Sequence, residues 1–321
     1  MKFRKELLAR SVCALFAFAA AGPLSAQLAD EPIKPLPVKL ELDGRKVALG
    51  KRLFHDKRLS KDNSLACAGC HELTTGGVDG RQFAVGVGGQ VGPINVPTVL
   101  NSGFNFRQFW NGRAESLEEQ AEGPVHNPKE MGSNWKEVVA KLGKDTPLVD
   151  QFRAIYGDGL HPRNIQDAIA TFERSLVTQS RFDQYLRGEF KAINEDEKKG
   201  YELFKNYGCV ACHQGVNVGG NMYQTFGVLG NYFQDRGNIT DADLGRYNVT
   251  KRAQDRFVFK VPSLRNVELT APYFHDGSAK TLNDAVDVMF RYQLGRTAPD
   301  ADKALIIAFL KSLTGEAKEN R

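Results

Sequence analysis

The chain has 321 residues, 41% of them apolar and 25% charged, with a formal net charge of +5. That balance excludes disordered, collagen-like and membrane-embedded chains, and at roughly 100–200 residues per domain the length suggests two domains. Five cysteines are too few for a disulfide scaffold, and a modest charge with no concentrated basic face excludes nucleic acid as a partner.

The first 26 residues read as a secretory signal peptide. Lys2, Arg4, Lys5 and Arg10 give a basic start, Ser11–Ala21 is a short apolar run, and Leu24-Ser25-Ala26 offers a small-residue cleavage site. The apolar run falls short of the roughly 20 residues a bilayer needs, so no membrane span is expected and the location is periplasmic. Cleavage near Ala26 takes the four basic residues and Glu6 with it, which lowers the formal charge from +5 to about +2, and it also removes Cys13. Cys67, Cys70, Cys209 and Cys212 remain, in two tight pairs.

Asp30–Lys39 carries Pro32, Pro35 and Pro37 and is expected to be extended. Beyond it the periodic segments are helical: Trp135–Leu142, Leu148–Tyr156, a stripe of Ile165, Ala168, Ile169, Phe172 and Leu176 after Pro162, one of Leu282, Ala285, Val286 and Met289, and one of Leu305, Phe309 and Leu313. Sustained period-2 patterns are missing, so the fold is mainly α with little β. Thr74–Asn105 and Gln214–Asn248 are long and loop-like, a length usually tied to function. The charged segment Gly188–Lys199 reads as a flexible boundary, which gives a signal peptide at 1–26 and domains at 27–188 and 189–321. A weak repeat supports two halves, since Gly50-Lys51-Arg52-Leu53-Phe54 precedes one cysteine pair and Gly200-Tyr201-Glu202-Leu203-Phe204 the other.

Both pairs are C-x-x-C-H, as Cys67-Ala68-Gly69-Cys70-His71 and Cys209-Val210-Ala211-Cys212-His213. On a short helical turn two thiols at this spacing reach the two vinyl groups of one porphyrin, and the adjacent histidine becomes the proximal iron ligand. Two covalent haem c groups follow. A zinc site made of four cysteines would leave both histidines unexplained, and a redox dithiol would want a βαβ context. The sixth ligand of each iron then decides between electron transfer and substrate chemistry. Met131, Met222 and Met289 are the methionine candidates, and His55, His126, His161 and His275 the histidines.

Five further motifs carry a family resemblance: Gly-Pro-Ile-Asn-Val-Pro-Thr at 92–98, Phe-Trp-Asn-Gly-Arg-Ala at 109–114, Gly-Pro-Val-His-Asn-Pro-Lys-Glu-Met at 123–131, Val-Pro-Ser-Leu-Arg-Asn at 261–266 and Ala-Pro-Tyr-Phe-His-Asp-Gly at 271–277. The chain resembles the bacterial di-haem cytochrome c peroxidases over nearly all of its mature length. The resemblance implies two cytochrome c-like domains, each with one covalent haem. The N-terminal haem would react with hydrogen peroxide and the C-terminal haem would store an electron at high potential.

Carried over by motif, the resemblance makes His71 the proximal ligand of the peroxidatic haem and His213 with Met289 the axial pair of the other. It makes Glu130 the acid–base residue, with Gln120 and Met131 beside it, and Trp110 the residue between the haems. Asn95, Thr270 and Pro272 match the positions that hold a calcium ion, an oxygen-only set that suits a hard cation. It also implies a homodimer and a small electron donor, either a monohaem cytochrome c or a blue-copper protein.

One departure is informative. Members that need reductive activation carry a histidine that caps the peroxidatic iron, and here Val87 stands in its place. Valine cannot ligate iron, so an open peroxidatic site is expected in the oxidised protein, unless a residue such as His55 or His126 substitutes. Related di-haem oxidases acting on a protein partner have tyrosine where Met289 stands and lack the pocket glutamate. An electron-transfer cytochrome without peroxidase chemistry is the alternative from another class.

Overall fold

The computed structural model describes residues 30–317, so the expected signal peptide at 1–26 lies outside the described residues. The chain divides into Met1–Glu31 and one unit from Pro32 onward, and the second unit holds both cysteine pairs. In chain order its helices are α1 (Gly44–Phe54), α2 (Cys67–Cys70), α3 (Leu117–His126), α4 (Trp135–Leu142), α5 (Thr146–Tyr156), α6 (Pro162–Ser175), α7 (Arg181–Leu186), α8 (Glu195–Asn206), α9 (Tyr232–Arg236), α10 (Tyr247–Thr250), α11 (Leu282–Val288) and α12 (Asp300–Ser312). Short 3₁₀ turns join them. Four three-residue strands make two antiparallel ribbons: β1 (Thr178–Ser180) pairs with β4 (Gly315–Ala317), and β2 (Tyr223–Thr225) with β3 (Val258–Lys260). The mainly α reading holds, and every segment with a helical stripe is a helix.

The sequence repeat is a packing device. Gly50 lies in α1 where an added Cβ would sit 1.9 Å from the Ala168 carbonyl oxygen of α6, and Gly200 lies in α8 where it would sit 1.9 Å from that of Leu305 in α12. Only hydrogen fits at such a crossing, which is why glycine stands mid-helix despite its cost of roughly 1 kcal/mol. Each crossing then buries an apolar stripe. Leu49, Leu53, Phe54, Phe152, Ile165 and Phe172 centre one core. Phe182, Tyr201, Phe204, Ile306, Phe309 and Leu313 centre a second. A small aromatic cluster of Tyr232, Phe233, Phe259 and Tyr292 lies apart, with Trp110 packed on it.

The Pro-rich lead-in is extended, as expected, and a buried ion pair holds it. Arg265 and Asp183 are fully buried and bond twice, at 2.9 and 3.0 Å, while Asp183 also accepts from the Leu36 N–H and Arg265 donates to the Lys34 carbonyl. Such a pair tolerates burial because its remaining polar atoms are satisfied too.

The segment 188–199 is less of a linker than its charge suggests. Asn194 and Glu197 form a reciprocal capping box, so Glu195 onward is the first part of α8. The acidic residues there favour the positive end of the helix dipole. Phe182 and Leu186, upstream of that segment, pack into the second core. No helix of the described residues is long and apolar enough to cross a membrane.

Candidate functional site

Both C-x-x-C-H motifs form tight turns, α-helical at Cys67–Cys70 and 3₁₀ at Cys209–Ala211, and in each the histidine N–H donates to the first cysteine's carbonyl at 3.0 Å. The imidazoles are held alike. His71 Nδ1 lies 3.1 Å from the Gly77 carbonyl oxygen and His213 Nδ1 3.4 Å from that of Val218, so Nε2 of each ring is left to meet a metal. Phe54, at the end of α1, packs on His71 with ring centroids 6.4 Å apart, and Phe204 packs on His213 at 6.5 Å. The repeat therefore ends in the residue that steadies each proximal histidine.

The donor set fits covalent haem and not the other two readings. The four cysteines are free thiols. Burial pushes Cys67 up to about 12 and Cys70 and Cys209 to about 11, the reverse of a reactive dithiol. Among the described residues the cysteines do not converge on one metal-sized site, which a four-cysteine zinc centre requires. Burial lowers His71 as well, and brings His213 down to about 4, which favours the neutral, metal-ligating form of each imidazole.

Glu130 sits in the turn that follows α3. Asn127 Nδ2 donates to its Oε1 at 2.7 Å, and its own N–H donates to the Asn127 carbonyl. Burial raises its carboxyl above the ordinary glutamate range, against the opposing pull of Asn127 and the Arg113 guanidinium. Its charge is felt at Cys70, which places it near the first motif. Val87 opens a short 3₁₀ turn and its N–H donates to the Glu130 carbonyl at 2.8 Å. A Cβ on the neighbouring Gly86 would stand 2.1 Å from the Lys129 carbonyl oxygen, so the two loops touch backbone to backbone. His55 and His126 each turn Nδ1 to a carbonyl one turn back, those of Lys51 and Glu122, and both are exposed. Gln120 is half-buried on α3, and Met131 is buried in the first core.

Trp110 is tied to both halves. Its indole N–H donates to the Asn95 carbonyl at 3.0 Å, its own carbonyl accepts from the Lys260 N–H at 2.8 Å, and its ring meets His275 edge-on at 6.4 Å. The Asn95 N–H donates to the His275 carbonyl at 2.8 Å, which joins Asn95 to the loop that carries Thr270 and Pro272. The Asn95 side-chain nitrogen serves the carbonyls of Arg81 and Gln82, and its amide oxygen remains as the atom for a hard cation.

Met289 is half-buried at the junction where α11 passes into a π-helical turn over Met289–Gln293. Such turns concentrate at functional sites because they re-aim one side chain. The next residue, Phe290, packs on Tyr207 at 4.9 Å, two residues before Cys209, and so draws this turn towards the second motif.

Three buried sites have surroundings that sequence reasoning did not reveal: the partner of His275, a candidate ligand by sequence, and the burial of Glu173 and Lys260. His275 Nε2 lies 2.7 Å from Asp243 Oδ1, both buried. The Arg236 guanidinium bonds Asp243 and Asp276 together, so this His/Asp/Asp cluster already holds a cation of its own. Burial opposes the Asp243 charge, but hydrogen bonds from His275, Arg236 and Thr240 hold its carboxyl well below the carboxylate range. Glu173, buried in α6, is pushed up to about 8, and Lys260, buried in β3, is brought down to about 8. Pairings across 32 residues leave no local sequence signal.

Residues 44–191 match the family described as di-haem cytochrome c peroxidase. The chain is 49% identical over 314 residues to cytochrome c peroxidase Ccp of Escherichia coli, covering 97% of this chain and 67% of that one. It is 46% identical over 314 residues to cytochrome c551 peroxidase of Nitrosomonas europaea, covering 97% of this chain and 91% of that one. Among solved structures, a MauG-like protein associated with microbial copper homeostasis superposes with a TM-score of 0.77 at 29% identity, covering 90% of this chain and 95% of that one.

Proposed function

The chain belongs to the di-haem cytochrome c peroxidase family, and from that premise we propose how its residues share the work. It is a cytochrome c peroxidase, reducing hydrogen peroxide to two waters with two electrons from a redox protein. The family implies two haem c groups. Cys67, Cys70 and His71 hold one, in the N-terminal domain at 27–188. Cys209, Cys212, His213 and Met289 hold the other, in the C-terminal domain at 189–321. When bound, the haems supply the redox-active iron at which peroxide is reduced and the store for the incoming electrons.

The residues divide the remaining tasks. Glu130, as carboxylate, takes a proton from one oxygen of peroxide and returns it to the other, which leaves as water. A positioned acid–base group of this kind contributes about 10²–10⁴-fold. Asn127 holds Oε1 in place by its 2.7 Å hydrogen bond, and Gln120 lines the same pocket. Val87 offers no ligand, so the haem that His71 holds would be accessible to peroxide in the fully oxidised protein. Trp110 bridges the halves as an aromatic relay, fixed at both ends by hydrogen bonds to Asn95 and Lys260. Asn95, Thr270 and Pro272 hold calcium through oxygen atoms and so fix the geometry between haems. The donor is a monohaem cytochrome c or a blue-copper protein, the enzyme works as a periplasmic homodimer, and the segment up to Ala26 is removed on export.

The observation that supports this reading is the backbone contact between the Val87 and Glu130 loops, which keeps a residue unable to ligate iron in the loop next to the proposed acid–base residue. Peroxide-dependent oxidation of a reduced cytochrome c or blue-copper donor tests it. Turnover is expected, and two six-coordinate low-spin haems with no turnover would make the chain an electron carrier.

A further inference from the structure

Lys260 is the last residue of β3 and only 8% exposed, yet among the described residues no carboxylate or other acceptor pairs with its ammonium. The other buried basic side chains are matched: Arg265 bonds Asp183 twice, and His275 meets Asp243. Burying a lone charge costs several kcal/mol, so a fold that keeps one implies an anion from elsewhere.

The place of this cation is well fixed. The Lys260 N–H is bound to the Trp110 carbonyl, the residue sits opposite Tyr223 of β2, and the next N–H, of Val261, donates to the Met222 carbonyl at 3.0 Å. Gln224, beside Tyr223, directs its amide at Cys212 Sγ, 4.0 Å away. The chain continues from Lys260 to Pro262, whose carbonyl faces the His213 ring. The unmatched charge therefore stands on the ribbon that borders the second C-x-x-C-H motif, next to Trp110.

We propose that Lys260 is the counter-ion of a propionate of the haem carried by Cys209, Cys212 and His213. This rests on the reading that the motif holds haem c. Haem brings two carboxylates at its edge, which is the acceptor chemistry the Lys260 site lacks. A cation on the propionate opposes the extra positive charge of ferric iron, so it favours the ferrous state and helps this haem store an electron.

The test uses the holoenzyme with Lys260→Met, Lys260→Gln and Lys260→Arg. A pyridine haemochrome count comes first, and fewer than two haems per wild-type chain would contradict the haem reading itself, separately from Lys260. Spectroelectrochemical titration then follows each haem. The Met and Gln variants are expected to lower the ferrous-to-ferric ratio of the His213 haem about tenfold at fixed potential, a 59 mV fall for one electron. The His71 haem should hold its potential, and Arg should restore the wild-type value. Unchanged potentials in Met and Gln, or a shift confined to the His71 haem, would overturn the proposal. A purely structural lysine would alter stability and leave both potentials in place.

Discussion

The backbone N–H of Val87 donates to the carbonyl oxygen of Glu130 at 2.8 Å, so the loop that carries Val87 is clamped to the loop that carries the Glu130 carboxylate. Gly86 makes the clamp possible, because any Cβ there would collide with the Lys129 carbonyl. The clamp uses backbone atoms alone. Under the proposed reading, side-chain identity at position 87 decides whether the iron is capped, and the backbone clamp lets it change without disturbing where Glu130 sits.

Val87→His is expected to give an enzyme that is slow with peroxide when fully oxidised and recovers after one-electron reduction. Electron paramagnetic resonance of the ferric variant checks this, since a new six-coordinate low-spin signal should replace the high-spin one. A variant with wild-type spectra and rates would show that position 87 does not face the iron.

Glu130→Gln should lower the rate with peroxide by about 10²–10⁴-fold while leaving donor oxidation of the other haem intact. The active form is the carboxylate, and burial raises its pKa. Activity should therefore fall as pH drops through a value above the ordinary glutamate range, and the Gln variant should lose that limb. Stopped-flow rates at several pH values would settle both points, and an unchanged limb would assign it to another group.

Burial lifts the Glu173 carboxyl from 4.5 to about 8. Between those values the folded chain holds a proton that the unfolded chain has lost, so stability is fully present below 4.5 and declines as pH rises towards 8. The slope is at most about 1.4 kcal/mol per pH unit. Glu173→Gln is expected to narrow the gap in Tm between pH 5 and pH 8. Equal gaps in wild type and variant would mean that Glu173 stays charged in the folded protein.

Gly200→Ala must push α8 away from the Leu305 carbonyl, which an added Cβ would approach to 1.9 Å. Overpacking of this kind costs about 1–3 kcal/mol. A denaturant titration should give a clear loss of stability, and Gly50→Ala the same at the other crossing. Wild-type stability in both would show that the helix pairs can slide apart freely.

The candidate haem-binding residues were legible because covalent attachment demands a fixed local spacing, which Cys67–His71 and Cys209–His213 both have. Five helices were legible from apolar period, whereas others such as Gly44–Phe54, Leu117–His126 and Glu195–Asn206 were not, and no period reveals the π-helical turn that begins at Met289. The repeat pointed to two similar helices, but the reason for Gly50 and Gly200 lies in partner helices more than 100 residues away. The start of α8 was legible in Asn194 and Glu197, and the charged run around them hid it. Lys260, Glu173 and the His275–Asp243 pair were not legible, since burial and pairing of a charge are set by tertiary contacts that leave no local pattern.

The most direct measurement is stopped-flow mixing of hydrogen peroxide with the purified, fully ferric protein, followed in the Soret band. The expected result is a rapid spectral change without prior reduction, because Val87 would leave the haem held by His71 uncapped. No change until one electron per molecule has been added would contradict this and place another ligand on that iron.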